Sequence, residues 1–291
     1  MKILMNMLLA CCLTFAAVAQ DQPIRIIMFG AHPDDCDLGG GGTAILFSKL
    51  GHKVKFVSVT NGDAGHQSQG GGALAKRRMA EAKEAGKRFG VEYDVLDNHD
   101  GELTPTLTVR LQIIRKIREW NADVVIAPRP NDYHPDHRYT GVLLQDAAYM
   151  VAVPNVAPDT PPLKKNPVFL YFSDHFQKPN PFSPDIAIDI SSVFDQKVHA
   201  LDAHESQFYE WLPWIGGYLD QVPVKPEDRL KWLSGREASN VSPATLKSLE
   251  KWYGKDAASK VKVAEAFEIC EYGTQPDEGA IRKLFPMLRK P

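Results

Sequence analysis

Short apolar runs alternate with helical-length segments along the first half of the chain. β-rich runs occupy residues 24–30, 52–60, 93–97 and 123–129, and a segment with helical spacing separates each from the next. Near-continuous apolar strands joined by helices are typical of a parallel sheet that is covered on both faces. The pattern therefore predicts an α/β protein with a Rossmann-like, three-layer fold and a mostly parallel sheet. Right-handed crossovers would place the C-terminal ends of these strands along one edge.

The pattern is looser after residue 150. A Pro-rich connection is followed by two further predicted strands, at 168–176 and 185–190, and by a predicted helix over 192–212. No composition shift marks a linker between domains. We therefore expect residues 20–291 to form a single domain.

The first nineteen residues have the pattern of a secretory signal peptide. Lys2 precedes an apolar stretch, and Ala17, Val18 and Ala19 stand before polar residues that begin with Gln20. The stretch is shorter than the ~20 residues of a membrane span. The pattern predicts an exported protein, periplasmic or secreted, with no transmembrane segment in the mature chain. Two alternatives are lipid anchoring at Cys11, which is less favoured, and a buried helix.

Composition narrows the class of partner. The 291 residues are 44% hydrophobic and 24% charged, with a formal net charge of -2, which is ordinary for a globular protein. This balance excludes bulk attraction to nucleic acid or to an anionic membrane. We therefore expect a small-molecule or glycan substrate and no nucleic-acid partner.

Two polar clusters follow the first and fourth predicted strands. "AHPDD" contains His32 and Asp35, and "NDYHPDHR" contains His134, Asp136 and His137. Because the ends of these strands share one edge of the sheet, we expect the clusters to meet. Two imidazoles and one carboxylate with open positions suit a catalytic Zn²⁺ ion, or Fe²⁺ in an oxygenase.

Four consecutive glycines at 39–42 raise the alternative of a dinucleotide site. Gly39, Gly41 and Ala44 fit the pattern G-x-G-x-x-A. In that fingerprint, however, the first glycine lies in the turn directly after the strand, whereas "AHPDDCDL" intervenes here. The placement favours glycines that let the start of a helix pack closely against the polar loop.

These motifs resemble those of the PIG-L/LmbE family of zinc-dependent de-N-acetylases. The shared motifs are "AHPDD", "TNGD" at 60–63, Arg78 and Glu81 in an R-x-x-E helix, "DG" at 100–101, "HPDH", and "AHESQ" at 203–207. The resemblance covers about residues 24–210 and leaves 211–291 as a C-terminal extension. Members often have Glu after "AHPDD", whereas Cys36 and Asp37 follow here.

The resemblance implies a metal-dependent amide hydrolase, an N-deacetylase. His32, Asp35 and His137 would hold Zn²⁺, or Fe²⁺ or another divalent metal in its place, and Asp34 would be the general base. The enzyme would remove the N-acetyl group from an N-acetylated amino sugar or glycoconjugate by means of metal-activated water. Two rival functions are a non-haem iron oxygenase with the same three ligands and a non-catalytic glycan-binding protein.

The resemblance also implies roles for residues around the metal. His134 would stabilise the transition state or protonate the leaving amine, with support of His137 as the alternative, and Asp136 would orient a neighbouring histidine. Arg78 would contact the substrate, although Arg77 beside it leaves a one-residue ambiguity.

An aromatic cluster follows the last motif. Trp211, Trp214 and Tyr218 could stack on a sugar ring or serve only as core or rim aromatics.

Overall fold

Seven strands form one sheet in the computed structural model of the protein, which describes residues 22–238 and 241–288. The strands are β1 (Arg25–Gly30), β2 (Lys53–Ser58), β3 (Glu92–Val95), β4 (Val124–Ala127), β5 (Val168–Phe172), β6 (Ile186–Asp189) and β7 (Ala264–Gly273). The helices are α1 (Asp35–Lys49), α2 (Gly71–Phe89), α3 (Leu107–Trp120), α4 (Pro135–Met150), α5 (Phe194–Leu201), α6 (Leu212–Ile215), α7 (Pro226–Glu237), α8 (Pro243–Tyr253), α9 (Lys255–Ala258) and α10 (Glu278–Leu284).

The strand order is β3-β2-β1-β4-β5-β7-β6. Strands β1 to β5 pair in parallel, and β7 pairs antiparallel with both β5 and β6. Two clusters of buried apolar side chains cover the two faces of the sheet. The prediction of an α/β fold with a mostly parallel sheet is therefore confirmed.

The order in which the chain adds strands to the sheet changes direction between β1 and β4. From β1 it moves outward to β2 and β3, then returns to β4 on the other side of β1. Crossovers leave a crevice beyond the C-terminal ends of two such neighbouring strands, and this is where doubly wound sheets bind ligands. Both predicted polar clusters follow these two strands.

The four glycines of α1 are packing positions inside the helix. A Cβ atom added to them would lie 2.8 Å from Phe172 at Gly39, 2.7 Å from Met28 at Gly40, 2.5 Å from Phe89 at Gly41 and 2.7 Å from Ile190 at Gly42. Only a helix without side chains on these faces can approach the sheet so closely. Since the glycines lie within α1 rather than in a strand-to-helix turn, they form no dinucleotide fingerprint.

The C-terminal part of the chain contributes to the sheet. Strand β7 lies between β5 and β6, and its Glu265 is buried. The Glu265 carboxylate accepts hydrogen bonds from Lys197 Nζ at 2.7 Å and from the backbone N–H groups of Gly42 and Thr43 at 2.8 and 2.7 Å. This satisfied ion pair ties β7 to the helix that follows "AHPDD".

The predicted signal peptide at 1–19, which includes Cys11, lies outside the described residues. Among the helices of residues 22–238 and 241–288, none has the length and apolar character needed to cross a membrane.

Candidate metal centre

Two loops bring the polar clusters together at the β1/β4 crevice. After β1 the chain turns at His32, and α1 begins at Asp35. After β4 the chain reaches His134, whose Nδ1 accepts a hydrogen bond from the Asp136 N–H at 3.2 Å and so caps α4. His137 lies in the first turn of α4, which directs its side chain towards the β1 loop.

Three donor atoms converge in this crevice. His32 Nδ1 lies 3.2 Å from His137 Nε2 and 3.7 Å from Asp35 Oδ2, and His137 Nε2 lies 3.5 Å from Asp35 Oδ2. Zn–ligand bonds of about 2.0–2.1 Å in tetrahedral geometry place ligand atoms about 3.3–3.5 Å apart. The separations of these three atoms therefore fit a single ion with a position left open for a small molecule.

Two other sets of residues around His32 are less well placed to hold the ion. The His134 ring lies edge-on to His32 with centroids 4.6 Å apart, and because its Nδ1 caps α4, only its Nε2 could reach an ion shared with His32 and His137. Asp100 Oδ1 and Asp136 Oδ2 lie 3.0 and 3.4 Å from the opposite nitrogen of His32, Nε2. Neither carboxylate is aligned for a hydrogen bond to this nitrogen. Their charges face Nε2 and leave Nδ1 directed at Asp35 and His137.

A carboxylate lies on the far side of each of the two candidate histidine ligands. Asp132 Oδ1 lies 3.1 Å from His137 Nδ1, and Asp100 is the carboxylate nearest to His32 Nε2. A carboxylate bonded to the far nitrogen of a histidine fixes the orientation of the ring and raises its basicity, as Asp132 does for His137, whereas Asp100 acts on His32 through its charge. We predicted this kind of contact for Asp136, which is fully buried and also accepts the Gly101 N–H at 2.7 Å. We assigned no role to Asp100 or Asp132, although "DG" and "NDYHPDH" contain them.

The site favours positive charge between its carboxylates. Burial lowers the pKa of His32, but Asp100, Asp136 and Asp35 outweigh burial and raise it to about 10. Burial raises the pKa of Asp100, but His32 and Arg78 outweigh burial and lower it to about 2. A divalent cation would supply the positive charge that protonated His32 supplies without it.

Asp34 and Arg78 form a buried pair next to the ligands. Asp34 Oδ2 lies 3.3 Å from Arg78 Nη2, and Arg78 is only 2% exposed. Burial raises the pKa of Asp34, while the Arg78 guanidinium opposes that shift. Arg77 points elsewhere and pairs with Glu210 at 2.6 Å. Arg78 is therefore the arginine that α2 brings to the site, where it contacts Asp34, Asp100 and the Gly62 carbonyl.

The tautomer of His134 follows from its contacts. Burial and the nearby His32 and His137 lower its pKa, which favours the neutral ring. Because Nδ1 accepts the Asp136 N–H, the hydrogen of the neutral ring is on Nε2. His137 takes its support from Asp132 instead of His134.

The residues that depart from the family pattern lie beneath the site. Cys36 is fully buried in the core, and Asp37 is fully buried and accepts from His204 Nε2 and the Tyr93 hydroxyl, both at 2.8 Å. His204 belongs to "AHESQ", so this motif braces the start of α1. The hydrogen bond of the His204 ring is thus to Asp37 in α1.

A cavity of about 260 Å³ opens over the donor atoms. Its lining residues are Asp35, Leu38, Gly39, Pro128, Arg129, Asp132, His137, Phe172, Ser173 and Asp174. Arg129 and Asp174 in its wall form a bidentate pair, with both N–O distances at 2.6 Å. The cavity therefore gives a small molecule access to Asp35 and His137.

Fold and site together define a candidate metal-dependent enzyme of the doubly wound α/β class. Residues 27–148 match the family model described as GlcNAc-PI de-N-acetylase, PIG-L. The chain belongs to this family, and it is an enzyme of the N-deacetylase class, as we predicted.

Three similar proteins illustrate the relationship. Diacetylchitobiose deacetylase of Thermococcus kodakarensis is 34% identical over 207 residues, 66% of this chain and 74% of that protein. A Bacillus cereus protein named as a probable N-acetyl-alpha-D-glucosaminyl L-malate deacetylase 2 is 30% identical over 72% of this chain and 94% of its own length. The structure of N,N'-diacetylchitobiose deacetylase from Pyrococcus horikoshii superposes with a TM-score of 0.63 at 25% identity, covering 84% of this chain and 83% of that one.

The prediction of an exported protein, periplasmic or secreted, is wrong, because the deacetylases that the chain matches contradict it. That prediction depended entirely on the apolar run of residues 1–19, since nothing in the fold or the site depends on export.

Proposed function

We propose that the protein is a Zn²⁺-dependent hydrolase that removes the N-acetyl group from an N-acetylated amino sugar or glycoconjugate. The observation that carries this proposal is the triangle of His32 Nδ1, Asp35 Oδ2 and His137 Nε2, with sides of 3.2 to 3.7 Å, beside the carboxylate of Asp34. The substrate class is supported by relatives that are named as deacetylases of diacetylchitobiose and of a glucosaminyl malate.

His32, Asp35 and His137 are the residues that would hold the ion. When bound, Zn²⁺ supplies a Lewis acid for the acetyl carbonyl and lowers the pKa of a water molecule to about 7. Fe²⁺ or another divalent metal fits the same donor set, because nitrogen and oxygen ligands accept several such ions.

Asp34 accepts the proton of the attacking water. Its burial raises its pKa towards the working pH, which suits a group that must take up a proton and give it away again. The contact with Arg78 holds the carboxylate in place, and the guanidinium charge opposes this rise in pKa. The proton then passes to the amide nitrogen as the C–N bond breaks, so that acetate and a free amino sugar leave.

His134 donates a hydrogen bond to the carbonyl oxygen as negative charge develops there. The neutral ring carries its hydrogen on Nε2, so this nitrogen can act as a donor without a change of protonation. The loss of one such donor typically costs about 10² to 10³ in rate. We keep substrate contact as a proposed role for Arg78. Because Arg78 itself is buried, this contact would be made on the side where Asp34 lies.

The test is Asp34→Ala, followed by metal content and by acetate release from N-acetylglucosamine and N,N'-diacetylchitobiose. We expect about one Zn²⁺ per chain in both proteins and acetate from the wild type only. Unchanged turnover would remove Asp34 as the base, and loss of the metal would make it a ligand. O₂ consumption by the Fe²⁺ form without acetate release would favour the oxygenase, and sugar binding without any turnover would favour the non-catalytic protein.

A further inference from the structure

Two tryptophans form a stacked pair at the surface. The rings of Trp211 and Trp214 have centroids 5.5 Å apart and planes only 19° from parallel, and Trp214 is 48% exposed. Trp120 and Trp252 are buried and donate their indole N–H groups to backbone carbonyls. Within residues 22–238 and 241–288, the indoles of Trp211 and Trp214 donate to no acceptor. The pair thus offers an aromatic surface and free hydrogen-bond donors to a ligand.

The pair lies beside the candidate metal centre. A Cβ atom placed on Gly65 would be 3.1 Å from Arg78 Nη1, 3.2 Å from Asp100 Oδ2 and 3.7 Å from Trp211 Nε1. These groups therefore surround one backbone position. Since Asp100 also contacts His32, one carboxylate and one glycine separate the indole of Trp211 from the metal ligand.

The segment that bears Trp211 is firmly anchored. Residues Ser206–Trp211 form a π-helix, a rare conformation that is frequent at functional sites. Ser206 bonds to Glu81, and Gln207 Nε2 donates to the Gly65 carbonyl at 3.2 Å. Glu210 pairs with Arg77 at 2.6 Å and with His66 at 2.7 Å. Because the segment that bears Trp211 is held before a ligand arrives, little backbone freedom is lost there on binding.

We propose that Trp211 and Trp214 form the subsite for a second sugar ring, the pyranose that is linked to the N-acetylated ring at the metal centre. This inference rests on the proposed function. A pyranose has an apolar face of C–H groups that packs on an indole and a rim of hydroxyl groups that needs polar partners. Arg77 and Glu210, whose paired side chains are partly exposed, supply polar groups, and Glu210 directly precedes Trp211 in the chain. The substrate is accordingly a disaccharide or longer glycan rather than a free monosaccharide.

The kinetic test compares Trp214→Ala with wild type on N,N'-diacetylchitobiose and on N-acetylglucosamine. We expect kcat/KM for the disaccharide to fall roughly tenfold, the effect of losing about 1.4 kcal/mol of stacking, and kcat/KM for the monosaccharide to stay unchanged. Trp214→Phe should retain most of the activity on the disaccharide. The control is Tyr149→Ala, which removes a 73% exposed aromatic side chain from α4 and should alter neither value. Equal loss on both sugars, or no loss on either, would overturn the subsite.

A binding measurement keeps the subsite separate from the reaction. Calorimetric titration of Asp34→Ala, with and without Trp214→Ala, uses N,N'-diacetylchitobiose and N-acetylglucosamine as ligands. We expect the second substitution to weaken disaccharide binding roughly tenfold and to leave monosaccharide binding unchanged. If the wild type releases no acetate but this difference is found, the proposed reaction fails and the subsite stands. If light scattering shows that Trp214→Ala dissociates an oligomer, a second copy of the chain covers the tryptophans and the subsite is refuted.

Discussion

Substitution of Asp132 is the strongest test of the proposed metal centre. Its residue type alone does not identify it as the carboxylate that orients a metal-binding histidine. Asp132 Oδ1 lies 3.1 Å from His137 Nδ1 and also accepts the backbone N–H of His134 at 3.1 Å. Asp132→Ala removes both contacts. His137 would then lose the group that fixes its ring and its tautomer, while His32 and Asp35 would remain in place.

The expected magnitude follows from these contacts. Loss of the partner of a histidine ligand typically weakens metal binding 10- to 100-fold, or about 1.4 to 2.7 kcal/mol. The value should lie near the upper end, since Asp132 also holds the start of α4 through the His134 N–H. Asp132→Asn keeps an acceptor oxygen at the same place, so we expect a loss of less than about tenfold.

The assay is competition for Zn²⁺ against a chromophoric chelator, with unfolding curves to show that each variant is folded. The matched control is Asp159→Ala, which removes an exposed carboxylate paired with Arg115 and should leave the Zn²⁺ affinity within error of wild type. An affinity for Asp132→Ala within threefold of wild type would refute the reasoning. It would mean that Asp132 does not orient His137 or that His137 does not hold the ion.

Two further predictions concern protonation and packing. Zn²⁺ must displace the proton of His32, whose pKa is about 10 in the metal-free protein, so the affinity should rise about tenfold per pH unit between about pH 7 and 9. Calorimetry in buffers of different ionisation enthalpy checks this, and a flat profile would contradict it. Gly41→Ala would put a Cβ 2.5 Å from Phe89 and should lower the free energy of unfolding by about 1–3 kcal/mol. Gly72→Ala in α2, where nothing lies within 4 Å, should raise it by about 0.5–1 kcal/mol, as urea unfolding would show.

The position of the site could be predicted from the sequence because it follows from the order of the strands. Alternating strands and helices predict parallel strands, and parallel strands share one edge for the loops that follow them. That rule placed "AHPDD" and "HPDH" together without any coordinates. The rotation of a helix about its own axis, which decides where each side chain points, could not be predicted. Arg77 and Arg78 are neighbours in sequence, yet Arg77 pairs with Glu210 and Arg78 with Asp34.

Strand β7 was missed for a different reason. Its glutamates at 265 and 268 interrupt the apolar pattern that marks a buried strand. Glu265 is nevertheless buried, because Lys197 and two backbone N–H groups of α1 satisfy its charge. Those partners come from remote parts of the chain, so no local window contains the signal.

Asp100 shows how the remaining contacts of the site depend on one another. This carboxylate lies 3.0 Å from His32 Nε2 and 3.8 Å from Arg78 Nη1, and Arg78 in turn lies 3.3 Å from Asp34. Two buried side chains, Asp100 and Arg78, thus connect the proposed metal ligand His32 to the proposed general base Asp34. With a divalent cation present, His32 is neutral, and the cation and the Arg78 guanidinium are the positive charges near Asp100. Arg78 is therefore required at a buried position for charge balance, whether or not it also touches the substrate.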